Sequence, residues 1–185
     1  VIRVGAGLAT LAIAHSLLPI LASKLTEVTF LPLPEAARGL PSAEAVNILH
    51  QQLPQYDVLL MGCGIGQNQA MIDLVHKTLF DCQTKHPTVV LDADGIIALA
   101  QKSEWWKLFR EDAILTPHAG EMARLTGKSI AEVQSNRIEI AKESAARWNK
   151  TIVLKGAYTV IAAPDGRVRI SPYANAGLAS AGTGD

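Results

Sequence analysis

Val58-Leu59-Leu60-Met61-Gly62-Cys63-Gly64-Ile65-Gly66 runs from a short apolar segment straight into three closely spaced glycines, with a helical pattern following over 69–85. A strand that ends in a glycine loop and leads into a helix is the first half of a βαβ unit. Four unalternating apolar residues suit a parallel strand covered on both faces. Working outward, the same grammar recurs. Strands are expected at Leu8–Ala12, Val28–Leu31, Val58–Met61, Val89–Leu91, Ile114–Leu115, Ile152–Leu154, Thr159–Ala162 and Val168–Ile170. Helical spacing fills Leu17–Leu25, Ala43–Gln52, Gln69–Lys85, Gly120–Leu125 and Ile130–Asn149. This alternation predicts an α/β fold: a doubly wound, mostly parallel sheet with right-handed crossovers.

Near the end the pattern changes. Asp165-Gly166 between two strand candidates signals a hairpin, hence an antiparallel edge on the sheet. In the preceding helix, Ile130, Val133, Arg137, Ile138, Ala141 and Ala145 mark an apolar stripe with one basic interruption. Ser129 and Glu132 form a capping box for it, and Asn149-Lys150 suit its end. Pro32-Leu33-Pro34 and Gly39-Leu40-Pro41 read as loop punctuation. Residues 1–185 read as a single domain, without internal repeat, low-complexity tract or linker. The chain starts without Met and stops on Gly-Asp, so the reading is of a domain incomplete at both ends, with a hydrophobic helix expected after Asp185.

Composition narrows the function classes. Seventeen basic residues balance seventeen acidic ones, which gives no electrostatic footprint for nucleic acid or an anionic membrane surface. The stretch 5–23 is interrupted by His15, Ser16 and Pro19, making a poor membrane span and a poor signal peptide. Cys63 and Cys82 have neither metal-ligand spacing nor a disulfide framework, so both read as reduced thiols in a cytoplasmic protein. An anionic substrate would have to be held by backbone dipoles and a few cations.

In open parallel sheets, ligands bind beyond the carboxyl ends of the strands. The strand-end loops are Gly62-x-Gly-x-Gly66, Asp92-Ala93-Asp94-Gly95, Thr116-Pro117-His118-Ala119-Gly120-Glu121 and Lys155-Gly156-Ala157-Tyr158-Thr159. The glycine loop either lets a ligand approach outward-pointing amides or is a tight turn. It lacks the G-x-G-x-x-G spacing and the following acidic residue of a dinucleotide fingerprint. Asp92 and Asp94 either hold Mg²⁺, directly or through water, or Asp92 caps the next turn. His118 is a ligand contact or a capping residue, and Glu121 complements a helix dipole. Lys155 is a phosphate partner or a solvated loop lysine. His15, His50, His76 and His86 form no cluster and receive no role.

The most specific signal is Gly182-Thr183-Gly184-Asp185. Glycines ahead of a helix present unpaired amides to an anion, which makes Gly182, Thr183 and Gly184 an anion hole. A carboxylate beside such a nest is unfavourable for phosphate binding alone. Asp185 is therefore either an incidental N-cap or a base that takes a proton as a phosphoryl group arrives.

Taken together, these motifs resemble a known family. Gly-Thr-Gly-Asp as anion hole plus base is similar to the ribokinase-like superfamily, with its three-layer αβα sandwich. Gly5-Ala6-Gly7-Leu8, the three loops up to Glu121, Lys155-Gly156-Ala157-Tyr158-Thr159 and Asn175-x-Gly177-x-Ala179 running into Asp185 narrow it. In that order they resemble the bacterial ADP-dependent NAD(P)H-hydrate dehydratases over nearly the whole chain. The resemblance implies dehydration of the (6S)-hydrates of NADH and NADPH (NADHX and NADPHX), with ADP as phosphoryl donor, AMP and phosphate as products, and Mg²⁺ present. By matching motif, Gly66, His118 and Asp185 would contact the hydrated nucleotide. Lys155, Gly156, Ala157, Tyr158, Thr159 and Gly184 would hold ADP or AMP, and Asp185 would be catalytic. It also implies an NAD(P)HX epimerase, fused or separate, and a homo-oligomer. Thr116-Pro117-His118, in place of Thr-Pro-Asn, favours ADP over ATP. Cys63 stands where proline is usual, and Gly95 where larger residues are common. A small-molecule kinase of the same superfamily and a non-catalytic nucleotide-binding module are the rival readings.

Overall fold

The computed structural model describes residues 5–81, 87–109 and 112–175. Two parallel strands come first, β1 (Thr10–Ala14) and β2 (Thr29–Leu33), joined by a 3-10 turn over His15–Leu17 and a short helix α1 (Leu18–Ala22). Pro32 sits inside β2 opposite Ile13, a place open to proline because a two-stranded sheet has only edges. Next, β3 (Glu35–Ala37) and β4 (Leu40–Pro41) form a small antiparallel hairpin where the sequence suggested only loop. The Glu35 carboxylate explains it. It accepts the Gly39 N–H across the hairpin, and the Ser16 N–H and hydroxyl at 2.7 and 2.9 Å. The Gly39 and Ser16 donors hold its carboxyl below the ordinary glutamate value. Partners nineteen positions away leave no local pattern to read.

Helix α2 (Ala43–Gln52) has the expected bounds and buries Ala45, Val46 and Leu49 beside Leu74 of α3 (Gln69–Phe80). Between them begins the main sheet. Strands β5 (Val58–Met61), β6 (Thr88–Leu91), β7 (Ala113–Leu115) and β8 (Thr151–Leu154) lie parallel in chain order. Strands β9 (Val160–Ala162) and β10 (Val168–Ile170) then add the antiparallel edge, turning through Asp165-Gly166 as expected. The crossovers are α3, then α4 (Ala93–Ala100) with α5 (Trp105–Leu108), then α6 (Ala119–Thr126), α7 (Ile130–Ser135) and α8 (Arg137–Trp148).

Strands laid down in sequential order by right-handed crossovers collect their helices on one face. Val89, Leu91, Leu115, Ile152, Leu154, Val160 and Ala162 of that face are at most 2% exposed. They pack with Val75, Ile96, Leu99, Met122 and Ala141 in one core. On the opposite face Val58 and Leu60 are each 54% exposed. Val58 and Leu60 belong to the edge strand, and on the inner strands Val90, Ile114 and Val153 of the same face are half-buried.

Two further elements differ from expectation. The segment after Asp92, read as a strand-end loop, is helix α4. Burial of Ile96, Ala98 and Leu99 drives its formation despite Gly95 in the first turn. The long helix expected over Ile130–Asn149 breaks at Asn136, whose backbone leaves the helical region at φ −129°. Within α8, Ile140, Ala141, Ser144, Ala145 and Trp148 face inward, while Ile138, assigned to the apolar stripe, is 42% exposed. The capping box is present as read: Ser129 Oγ accepts the Glu132 N–H at 3.2 Å, and Glu132 Oε2 accepts the Ser129 N–H at 2.8 Å. Ser129→Ala removes one half of this exchange and is expected to cost about 1 kcal/mol of stability, measurable by denaturant unfolding.

Candidate active site

Four loops leave the carboxyl ends of β5, β6, β7 and β8, and a chain of contacts ties each to the next. The first link is between backbones. Gly62, at φ +126°, lies so close to the start of α4 that a Cβ there would stand 1.9 Å from the Asp92 carbonyl oxygen and 2.8 Å from the Gly95 nitrogen. Reciprocally, a Cβ on Gly95 would meet the Met61 carbonyl oxygen at 2.9 Å. Both glycines are sterically required. Asp94 completes the link: its Oδ2 accepts the Gly66 N–H at 2.9 Å and its Oδ1 the Gln67 amide at 2.8 Å. The Gly66 amide, expected to point outward to a ligand, is thus already engaged.

Asp92 makes the second link. It caps α4 by accepting the Ala93 N–H at 2.9 Å, and the same Oδ1 receives the Lys155 ammonium at 2.6 Å. The remaining oxygen, Oδ2, has the Cys63 thiol 4.0 Å away. Burial pushes the Asp92 carboxyl up, but Lys155, the Ala93 N–H and the Thr116 hydroxyl together outweigh it and hold the group below the ordinary value of 3.8. Asp92 is therefore ionised at neutral pH, and Lys155 is a fixed cation rather than a freely solvated one. Thr116 joins the third loop to this cluster through its N–H and hydroxyl, both donated to the Leu91 carbonyl at 3.0 and 3.2 Å. The last link is the Lys155 N–H donated to the Pro117 carbonyl at 2.8 Å.

His118 stands at the head of α6 and caps it. Its Nδ1 accepts the Gly120 and Glu121 N–H groups at 2.9 and 3.2 Å, and Glu121 Oε2 accepts the His118 N–H at 2.8 Å. With Nδ1 an acceptor, the ring hydrogen belongs on Nε2, which lies 3.3 Å from Glu121 Oε1. The imidazole is nevertheless 60% exposed, so the cap presents it to solvent at the sheet edge. Gly120 makes room for it, since a Cβ there would lie 2.9 Å from His118 Cε1. In the fourth loop, Gly156 takes φ +147° and Tyr158 φ +54°. Ala93 takes φ +46° beside Asp92. Left-handed backbone at a non-glycine costs on the order of 1 kcal/mol or more and clusters at functional sites. Here two such residues occupy the two loops that the Asp92–Lys155 pair joins.

The structure therefore brings together Gly66, Asp92, Asp94 and Lys155, and sets His118 on the adjoining loop. Gly182, Thr183, Gly184 and Asp185 lie outside the described residues, as does Cys82. Thr116 and Gly95 carry no part legible from their motifs; their through-space contacts disclose one. Among the described residues no three or more His, Cys, Asp and Glu side chains gather to hold a metal ion. Asp92 Oδ2, which neither Lys155 nor the Ala93 N–H occupies, is the carboxylate oxygen suited to a hydrated Mg²⁺, whereas both Asp94 oxygens are committed to the glycine loop.

With this geometry in place, comparison with known proteins is decisive. A family model described as NAD(P)H-hydrate dehydratase matches residues 2–185. The chain belongs to that family. It is 44% identical over 184 residues to the bifunctional NAD(P)H-hydrate repair enzyme of Moorella thermoacetica, covering all of this chain and 34% of the relative. It is 40% identical over 130 residues to the ADP-dependent (S)-NAD(P)H-hydrate dehydratase of Neisseria meningitidis, covering 68% of this chain and 43% of the relative. Among solved structures, the ADP/ATP-dependent NAD(P)H-hydrate dehydratase of Bacillus subtilis, crystallised with ATP and Mg²⁺, superposes with a TM-score of 0.75 at 33% identity. That superposition covers 99% of this chain and 61% of the other. The chain thus spans about a third of the length of the bifunctional relatives it matches.

Two outcomes follow from the linked loops. Gly62→Ala, which drives a methyl group into the Asp92 carbonyl, is expected to cost about 3 kcal/mol or more in denaturant unfolding. Asp92→Asn keeps the cap but leaves Lys155 without its anion, a loss of about 1–3 kcal/mol near neutral pH. Because the Asp92 carboxyl titrates lower in the folded protein than in the unfolded chain, its contribution is complete above the unfolded value and disappears as pH falls through the folded one. The stability gap between the native protein and Asp92→Asn should accordingly close below about pH 4, as followed by urea titrations across pH.

Proposed function

We propose that this chain carries ADP-dependent dehydration of (6S)-NADH and (6S)-NADPH hydrates back to the reduced nucleotides, with AMP and phosphate as products. The observation that supports it most directly is the Asp92–Lys155 pair, which joins the family's Asp-Ala-Asp and Lys-Gly-Ala-Tyr-Thr motifs at one sheet edge.

The chemical problem is the leaving group. Hydroxide departs poorly, and phosphate departs readily once the hydroxyl has been phosphorylated. On this reading Asp185 accepts the hydroxyl proton while the amides of Gly182, Thr183 and Gly184 carry the negative charge of the moving group. Lys155, Gly156, Ala157, Tyr158, Thr159 and Gly184 receive the nucleotide. Asp92 aims the Lys155 ammonium and leaves its further N–H donors to an anion. Gly66 and His118 face the hydrated nicotinamide nucleotide, with the exposed edge of the His118 ring turned to it. Bound Mg²⁺ would neutralise charge on the transferring phosphate, with Asp92 Oδ2 reaching it through water.

We also place the protein in the cytoplasm, as a homo-oligomer acting alongside an NAD(P)HX epimerase that is fused or separate. No helix among the described residues is long and apolar enough to cross a membrane.

The deciding assay supplies NADHX, ADP and Mg²⁺ to the protein as its gene encodes it and follows the returning absorbance of reduced nicotinamide. A dehydratase regenerates it and releases phosphate. A kinase would consume ADP and accumulate a phosphorylated product, and a binding module would do neither; either result overturns the proposal. Asp185→Asn is expected to lower kcat by at least about a hundredfold while ADP still binds, read by isothermal titration.

A further inference from the structure

The basic interruption of the apolar stripe has no place in the chemistry above. Arg137 opens α8, directly after the break at Asn136. It lies four residues before buried Ala141 and three before buried Ile140, so it extends the inward face of the helix at the end nearest the carboxyl edge of the sheet. Its Nη2 donates to the Leu154 carbonyl at 2.9 Å, the last residue of β8, and its Nη1 donates to Gln134 Oε1 at 3.2 Å. Among the described residues no carboxylate lies within salt-bridge distance of it. Burial lowers its pKa, though a guanidinium keeps its charge at any ordinary pH.

Above the guanidinium lies Gly156. A Cβ built there would stand 3.0 Å from Arg137 Nη1, 3.1 Å from Nη2 and 3.3 Å from Cζ. The two terminal nitrogens are nearer than Cζ, so Gly156 sits against the Nη1–Nη2 end of the fork. Thus one side chain fixes the residue before Lys155 by hydrogen bond and the residue after it by contact. Besides the Lys155 ammonium on Asp92, the described bonds of the loop are Lys155 N–H to Pro117 O at 2.8 Å, Thr159 hydroxyl to Gly156 O at 3.0 Å, Ser171 N–H to Thr159 O at 2.9 Å and Tyr158 N–H to Tyr173 O at 3.4 Å.

We infer that Arg137 is a positioning residue for the nucleotide: its guanidinium fork is the floor on which the Lys155–Thr159 loop rests, setting the height of the loop backbone and its amides while Asp92 aims the Lys155 ammonium. The inference deepens the function proposed above, because it rests on that loop's taking ADP. It accounts for a charged residue on an otherwise apolar face of α8, and for the close approach of the Gly156 backbone to it. Lysine could reach the Leu154 carbonyl but has no fork to offer Gly156 and no second donor in fixed geometry.

The test measures ADP affinity by isothermal titration, and kcat with KM for ADP and for NADHX, on the full-length protein. The variants are Arg137→Met, Arg137→Lys and Gly156→Ala, with Tm recorded for each. Arg137→Met is expected to weaken ADP binding about tenfold or more and to raise the ADP KM in step, with the NADHX KM within about twofold. Arg137→Lys should recover only a minor part of that loss at near-native Tm. Gly156→Ala, which lifts the loop off the same floor, should show the same ADP-selective defect. A merely structural arginine would lower Tm and leave the ADP affinity of the folded fraction unchanged, and that result overturns the inference. So does full recovery in Arg137→Lys, which would make charge alone sufficient. If the native protein itself fails to bind ADP, the nucleotide assignment of the loop falls and takes this inference with it. That failure is visible before any variant is compared.

Discussion

Two backbones touch at Gly62 and Asp92–Gly95, and the rest of the site is built on that contact. A Cβ at either 62 or 95 would run into the backbone opposite, which is why a glycine stands on both sides of the seam. The contact fixes where α4 begins. The start of α4 fixes Asp92 as its cap, and the cap orients the carboxylate that receives Lys155. The order of dependence runs from steric constraint to helix start to charge placement. A lysine reaching sixty-three residues back to its anion is thereby held by an arrangement of glycines.

This dependence also explains Gly95. Larger residues would need the Met61 carbonyl to stand farther away, whereas here it lies 2.9 Å from where a Cβ would be. The helix accepts a poor helix former in its first turn because Ile96, Ala98 and Leu99 bury their apolar surface below it. Ala93, held at φ +46° between the cap and that turn, takes up the remaining misfit.

The sequence made the architecture legible where the signal was periodic or chemical. Apolar runs marked the parallel strands, Asp165-Gly166 the hairpin, Ser129 and Glu132 the capping box, and the strand-end rule collected the four loops that the structure ties together. It was silent where structure depends on distant partners. The β3–β4 hairpin follows from Glu35 meeting Ser16, and the helix after Asp92 from burial against α3 and α6. The break at Asn136 lies inside a pattern that reads as continuous helix, because Val133, Arg137 and Ala141 keep helical spacing across it. Both readings of His118 and of Asp92, ligand contact and helix cap, were left open by the residues alone. The structure shows the caps and also shows that capping does not remove either side chain from the site. His118 remains exposed, and Asp92 retains an oxygen.

The electrostatics of such a site follow from the balanced charge of the whole chain. With no surplus of basic residues, an anion at this edge would meet a local arrangement rather than a general field. Lys155 is compensated by Asp92, so the pair acts at a distance as a dipole, strong within a few ångströms and negligible beyond. Such a site stabilises charge that arrives in the right place and does little for charge elsewhere. It therefore discriminates by position, and position is set by the floor under the loop, the glycine seam and the cap. In a fold of this kind the ionised groups supply the force, but uncharged backbone geometry decides where that force is applied.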